Sequence, residues 1–198
     1  MMRLINLLVT LVVLCPPSHA FPYGAGSCNA GNKAVSGGPH MVGTITTGTL
    51  AKGGFSVKLG ATTLSPTMTS SFTVNTATTL TITGTKSFKG FIMRLGEVGG
   101  VQTDTALSGT GAVQVSSLCT GVAGVGGVTH TSRTAKTSVT ASLKLKAAAS
   151  SMPLDVTIVV QADNGVSEYY YSQFKISAIP AKSPTRKPSN KPSLRRTV

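Results

Sequence analysis

The chain has 198 residues, with 18 lysines and arginines against five acids and a formal net charge of +13. It is rich in Thr, Ser, Gly and Val, and it has no Trp. The high content of Thr, Ser, Gly and Val excludes a mainly helical protein built from Ala, Leu, Glu and Lys. Residues 21–180 have the length of one domain.

The first 20 residues have the pattern of a secretory signal peptide. Arg3 supplies the positive start, Leu4 to Leu14 is mostly apolar, and Ser18-His19-Ala20 offers small residues before a cleavage site. The apolar run is too short for a membrane anchor, which needs about 20 apolar residues. We therefore predict a secreted, extracellular protein without a transmembrane segment, whose mature chain begins near Phe21.

Two cysteines, Cys28 and Cys119, remain once Cys15 is removed with the signal peptide. An even pair in an oxidising compartment predicts one disulfide bond. The alternative is a metal or redox role, which needs more Cys or His at ligand spacing, and the chain has no C-x-x-C motif. We predict no cofactor and no metal.

The body of the chain alternates apolar and polar residues with a period of two, which is typical of β-strands with one buried face. We predict strands over 55–59, 79–83, 86–95, 112–119, 139–145, 154–162 and 166–179. The run over 86–95 is apolar on both faces, as in a central strand. In the last strand, Tyr170 is expected to share one face with Phe174, Ile176 and Ala178, opposite Tyr169 and Tyr171. Seven or more such strands predict an all-β sandwich.

Residues 181–198 follow Pro180 as a basic tail in which proline recurs every four residues. Such a composition cannot build a core, so we predict a disordered tail. It is either a spacer that its charge keeps soluble or a flexible arm for acidic surfaces. Its six cations are Lys182, Arg186, Lys187, Lys191, Arg195 and Arg196.

Neither a catalytic motif nor a phosphate-binding motif stands out. The mature chain has two histidines, His40 and His130, but no G-x-S-x-G elbow, so we interpret both as structural residues that form hydrogen bonds. The five acids are scattered, without the arrangement that glycoside hydrolysis requires. The glycine-rich run 121–127 does not match G-x-G-x-x-G and is expected to be a mobile loop. We predict that the protein is not an enzyme.

Several motifs, in order along the chain, resemble the reeler (reelin N-terminal) domain family. They are Phe21-Pro-Tyr-Gly-Ala before Cys28, Gly38-Pro-His40, Phe88-Lys-Gly-Phe-Ile92, Cys119 and Val128-Thr-His130. The resemblance implies an immunoglobulin-like β-sandwich over residues 21–180 and an extracellular role, of the small secreted type.

Charge and resemblance together favour a binding module for anionic polysaccharide, cell wall or microbial surfaces, since a basic chain attracts anionic partners. Nucleic acid is not expected as a partner of a secreted protein. The candidate contacts are Lys144 and Lys146, on one face of a predicted strand, and the six cations of the tail. The alternatives are a structural component of cell wall or matrix and an antimicrobial defence protein. The oligomeric state stays open.

Overall fold

The structure of the protein is a computed structural model, which describes residues 28, 44–96, 103, 105–119, 125–163 and 166–181. Over these residues it is all-β, and none of them forms a helix long and apolar enough to cross a membrane. The predicted signal peptide, His40 and the six cations of the tail lie outside the described residues.

The described residues form two sheets. The seven-stranded sheet contains β1 (Thr44–Gly48), β4 (Thr69–Thr73), β6 (Gly90–Leu95), β8 (Val113–Val115), β9 (Gly126–His130), β11 (Ala149–Asp163) and β12 (Val166–Ile179). The five-stranded sheet contains β2 (Phe55–Leu59), β3 (Thr62–Thr63), β5 (Thr78–Phe88), β7 (Leu107–Ser108) and β10 (Lys136–Leu143). Their strand orders are β1-β12-β11-β6-β9-β8, with β4 also pairing β12, and β3-β2-β5-β10-β7.

The core lies between the two sheets and is built by the predicted alternation. Leu80 and Ile82 of the five-stranded sheet and Val156 and Ile158 of the seven-stranded sheet are fully buried in one apolar cluster. Phe55 contacts Tyr170 across the sheets, with ring centroids 5.7 Å apart. Since one residue in two faces inward on each sheet, these contacts confirm the predicted all-β sandwich.

Strand β12 holds two parallel partners along one edge. β1 pairs with its first half, from Val166 to Tyr170, and β4 pairs with its second half, from Lys175 to Ile179. Between them the backbone N–H of Leu50 donates to the Ser172 hydroxyl, at 3.1 Å. The edge of β12 that faces away from β11 is therefore paired with another strand along most of its length.

The single strand predicted over 86–95 is wrong, because two strands of different sheets occupy this segment. β5 ends at Phe88, which pairs with β10, and the N–H of Lys89 already donates to Val159 in the other sheet, at 2.9 Å. Gly90 then opens β6, where a Cβ atom would lie 2.9 Å from Cε1 of His130. The segment is apolar on both faces because it crosses from one sheet to the other.

Other boundaries also differ from the prediction. The strand predicted over 112–119 is shorter, because β8 covers only Val113–Val115 and a turn follows Ser116. The mobile loop predicted over 121–127 is wrong at its end, because Gly126 and Gly127 belong to β9. β10 ends at Leu143 instead of 145, although the alternation continues, with Leu145 buried between the exposed Lys144 and Lys146. The alternation of buried and exposed residues therefore continues past the last residue of β10.

Candidate functional site

Five polar side chains lie together on the outer face of the seven-stranded sheet, opposite the core. We call this set the polar cluster: Arg94 of β6, Asp155 and Thr157 of β11, and Tyr171 and Gln173 of β12. Asp155 and Thr157 are buried, with 6% and 5% of their surface exposed, while Arg94 and Tyr171 are half-buried and Gln173 is exposed. The cluster therefore has a buried floor and an accessible rim.

The strand register places these residues in two adjacent rows. Asp155 stands directly opposite Arg94 on one side and Gln173 on the other, and Thr157 stands directly opposite Tyr171. Direct and diagonal neighbours on adjacent strands are within reach of long side chains. Alternation along β11 fixes the face, because the neighbouring residues Val156 and Ile158 belong to the core.

Asp155 is the acceptor at the centre of the cluster. The Tyr171 hydroxyl donates to Asp155 Oδ1 at 2.6 Å, and Gln173 Nε2 donates to the same oxygen at 2.9 Å. Burial, followed by the hydrogen bond to Asp155, raises the pKa of Tyr171 well above its ordinary value. The phenol therefore stays protonated and acts as a donor at physiological pH.

Two buried polar atoms of the cluster lack partners among the described residues. They are Arg94 Nε and Thr157 Oγ1. Buried polar groups in proteins are almost always hydrogen-bonded, since leaving one unpaired costs free energy. A donor and a hydroxyl thus lie buried and unpaired near a carboxylate whose Oδ1 already accepts two hydrogen bonds.

The disulfide bond borders the cluster on the β9 side. Cys28 and Cys119 are joined as predicted, with their Cα atoms 4.9 Å apart, and they pack against Ile92 on the same outer face. Gly127 stands opposite Arg94 on β9, where a Cβ atom would lie 2.4 Å from the Cys119 sulfur. A glycine is required there because the sulfur occupies that space.

The candidate contacts Lys144 and Lys146 lie away from this cluster. Both are exposed and follow the end of β10 in the five-stranded sheet, with the buried Leu145 between them. The backbone of Lys144 is held by its N–H, which donates to Ala106 at 2.8 Å. The strand predicted to carry both lysines therefore ends before either of them, and their shared role in binding stays a prediction.

His130 is a buried structural residue, as expected for it from the sequence. It ends β9, and its Nδ1 accepts a hydrogen bond from the Phe91 N–H at 3.2 Å. Its ring also lies 6.2 Å from the ring of Phe91. Within the described residues, no three His, Cys, Asp or Glu side chains are grouped so that they could hold a metal ion.

Glu168 of β12 pairs with Lys86 of β5 and so links the two sheets. Tyr170 also donates to Glu168 Oε1, at 2.9 Å, and the Lys86 ammonium lies 4.9 Å from the Tyr170 ring centroid. The hydrogen bond with Glu168 raises the pKa of Lys86, and the same bond lowers the pKa of Glu168. It is the one ion pair between described residues.

The polar cluster is only partly visible in the sequence. Alternation alone puts Asp155 and Thr157 on the outer face of their strand, and Tyr171 and Gln173 on one face of theirs. The sequence does not show that β11 pairs with β12 on one side and with the strand of Arg94 on the other, because register between distant segments cannot be obtained from periodicity.

No protein-family model and no curated protein sequence matches the chain significantly. Among solved structures, the fold is similar to the human F-spondin reeler domain (fragment 1), with 15% identity, a TM-score of 0.47 and coverage of 69% of this chain and 95% of that one. It is also similar to the Reelin-N domain of F-spondin, with 14% identity, a TM-score of 0.45 and coverage of 67% and 90%.

The assignment as a β-sandwich rests on the sheet topology and the shared core. The solved structures that this chain resembles are reeler domains, the same family that its sequence motifs resemble.

Proposed function

We propose that the protein is a secreted, non-catalytic extracellular binding module for anionic glycans and for cell or microbial surfaces that carry them. The observation that carries this proposal is the imbalance of available charge. Of the acids with described side chains, Glu168 pairs with Lys86, and Asp155 accepts hydrogen bonds inside the polar cluster. Among the residues that the structure describes, six cations are exposed: Lys52, Lys58, Arg133, Lys144, Lys146 and Lys175.

Secretion is supported by the signal-peptide pattern of residues 1–20 and by the disulfide between Cys28 and Cys119. Disulfides form and persist in oxidising compartments, outside the cytosol. The absence of a cofactor and of catalysis belongs to the same proposal, because binding by charge requires neither.

Lys144 and Lys146 are the proposed contacts of the domain, and the six cations of residues 181–198 are those of the tail. Exposed cations attract polyanions over a distance set by salt, about 8 Å at 0.15 M ionic strength. A flexible tail adds reach without requiring a folded site. Attraction of this kind selects for charge density more than for sugar identity.

The test is retention on a heparin column across a salt gradient. Mature 21–198 is expected to be retained at low salt and released as salt rises, and truncated 21–180 is expected to elute earlier. The double variant Lys144→Ala, Lys146→Ala should also elute earlier than its parent, whereas Lys86→Ala, which removes a paired cation, is the matched control. A full chain that passes through at low salt would rule out the proposal and favour a structural component of wall or matrix.

A further inference from the structure

We infer that the turn between β9 and β10 holds a binding site for a sulfate group of the glycan, formed by Arg133 of that turn and Lys136, the first residue of β10. This inference rests on the proposed function, because it names one place at which the domain binds an anionic glycan and the anionic group that it recognises there. Lys144 and Lys146 follow the other end of β10, so the site is separate from the contacts proposed above.

The side chain of Lys136 is held in place by the chain around it. Its ammonium donates to the backbone carbonyl oxygens of Lys89, at 2.8 Å, and Ser132, at 3.1 Å. The same nitrogen lies 5.8 Å from the centroid of the buried Phe88 ring. Ordering a long, flexible side chain on binding costs free energy. Because Lys136 is already ordered by these contacts, an anion that binds it meets a preorganised charge.

The positive charge of Lys136 is not neutralised by a carboxylate among the residues that the structure describes. Their single ion pair joins Lys86 to Glu168, and Asp155 accepts its hydrogen bonds inside the polar cluster. Lys136 is half-buried, and burial lowers the pKa of its ammonium. A partly buried charge without an opposite charge costs free energy, which a bound anion would recover. An ammonium has three N–H donors, of which the two carbonyl oxygens use two, so one is left for a ligand.

Arg133 adds an exposed cation beside this ammonium. It directly follows Ser132, whose carbonyl oxygen contacts Lys136 Nζ. The next residue, Thr134, is also exposed, and its hydroxyl accepts a hydrogen bond from the Ser132 hydroxyl at 3.2 Å. The Thr134 hydroxyl therefore keeps its own proton to donate. One short segment thus offers a guanidinium, an ammonium and a hydroxyl proton.

These donors suit a tetrahedral anion. A guanidinium binds two oxygens of an oxyanion with its planar fork, and an ammonium binds one oxygen as a compact point charge. A carboxylate has only two oxygens, so Arg133 alone would engage both of them. A sulfate ester has a third terminal oxygen for Lys136. The turn therefore matches a sulfated glycan better than one whose only charges are carboxylates.

The experiment titrates mature 21–198 with a sulfated dextran hexasaccharide by calorimetry at about 0.15 M salt. Arg133→Ala should weaken binding about tenfold, because it removes a charge-assisted, bidentate contact. The matched control is Lys58→Ala, which removes one exposed cation from β2 and so changes the net charge equally. It should weaken binding by less than about twofold, as expected for an exposed cation outside the site. Equal weakening by the two variants would show that net charge alone decides binding, and it would overturn the inference.

Lys136→Gln tests the second contact and should also weaken binding of the sulfated hexasaccharide. Because Lys136 also holds two carbonyl oxygens, thermal unfolding of this variant is measured first. Arg133 is exposed and outside the strands, so Arg133→Ala decides the outcome where Lys136→Gln does not fold. A hexamer of galacturonic acid, which carries carboxylates and no sulfate, should lose less affinity with Arg133→Ala than the sulfated one does. An equal loss for both ligands would contradict recognition of sulfate.

Heparin retention separates this inference from the proposed function. Arg133→Ala should still be retained at low salt, because the other exposed cations and the tail remain. A parent chain that is retained on heparin, with Arg133→Ala and Lys58→Ala alike in their affinity for the sulfated hexasaccharide, keeps the proposed function and loses this site. A parent chain that passes through heparin at low salt and does not bind the hexasaccharide loses both.

Discussion

Thr157 lies in β11 between two core residues, Val156 and Ile158, and its own side chain is buried on the opposite face of the sheet. Its hydroxyl has no partner among the described residues. A β-branched residue suits a strand, but a valine would satisfy the backbone equally well without burying an unpaired oxygen. The threonine thus costs stability in the free protein.

We expect Thr157→Val to stabilise the domain by about 1–2 kcal/mol, because it removes a buried unpaired hydroxyl and preserves the shape of the side chain. The free energy of unfolding is measured by urea denaturation of both proteins without glycan. Thr140→Val, whose hydroxyl is exposed and lies 3.2 Å from that of Thr81, should stay within about 0.5 kcal/mol of the parent. A destabilised Thr157→Val would show that the hydroxyl has a structural partner.

Gly127 shows how close the disulfide lies to the sheet. A Cβ atom at this position would be 2.4 Å from the Cys119 sulfur and 3.5 Å from the Met93 carbonyl oxygen. We expect Gly127→Ala to destabilise the domain by about 1–3 kcal/mol through overpacking, measured by thermal unfolding under oxidising conditions. Gly111→Ala is not a suitable control. An added Cβ at Gly111 would meet no atom within 4 Å, but the φ of +65° would strain the alanine backbone. An unchanged unfolding midpoint in Gly127→Ala would mean that the disulfide can move aside.

Individual residues were predictable from the sequence where a single strand decides the outcome. Tyr170 faces the core with Phe174 and Ile176, as the alternation of the last strand requires. The cysteine pair was also predictable, because two cysteines in an oxidising compartment leave one partner each. Arg94 was not, since its role depends on pairing with Asp155, about 60 residues away, and pairing is decided by the whole sheet.

At the level of elements, the segment around Lys89 carries the chain from one sheet to the other. Period-two alternation is clear in β2, but β6 and β9 are buried on both faces, and alternation does not reveal where the chain changes sheets. The apolar residues on both faces of 86–95 predict one central strand, whereas Phe88 and Phe91 belong to strands of different sheets, with ring centroids 6.4 Å apart. Sheet order therefore required the structure.

The Lys86–Glu168 pair joins β5 to β12 across the sandwich. Glu168→Gln keeps the size of the side chain and removes the charge, so it should destabilise the domain at neutral pH by about 0.5–1 kcal/mol, a small value because Lys86 is 41% exposed. The measurement is the free energy of unfolding of both proteins as a function of pH.

The sign of the pH dependence follows from the two shifts. The pKa of Glu168 is lowered from 4.5, so its contribution is present above 4.5 and is lost as pH falls through the folded value. The pKa of Lys86 is raised from 10.5, so its contribution is present below 10.5 and is lost as pH rises through the folded value. The difference between parent and Glu168→Gln should vanish at both extremes. A difference that stays constant into acid would contradict an ionic origin.

For the whole molecule, the disulfide is the covalent constraint with the longest reach, because it closes a loop over a sequence separation of 91 residues. Replacing both cysteines with alanine should lower the free energy of unfolding by about 2–4 kcal/mol, since the bond restricts the unfolded chain. Chemical denaturation of the parent and the double variant measures the loss. Equal stability of the two proteins would show that the bond does not constrain the unfolded state.

Charge is distributed unevenly over the whole chain. Six of the 18 basic residues lie after Ile179, and the domain carries further exposed lysines, whereas Glu168 and Asp155 are engaged in internal contacts. A strongly basic protein is steered toward polyanions, and the effect weakens as salt screens it. This physical consequence is the central element of the proposed binding function.

The most direct test of that claim is titration of mature 21–198 with sulfated dextran and with unsulfated dextran of the same length, at about 0.15 M salt. The proposal predicts that the sulfated polymer binds far more tightly and that its affinity falls steeply as salt rises. Equal affinity for the two polymers, or no binding to either, would contradict it.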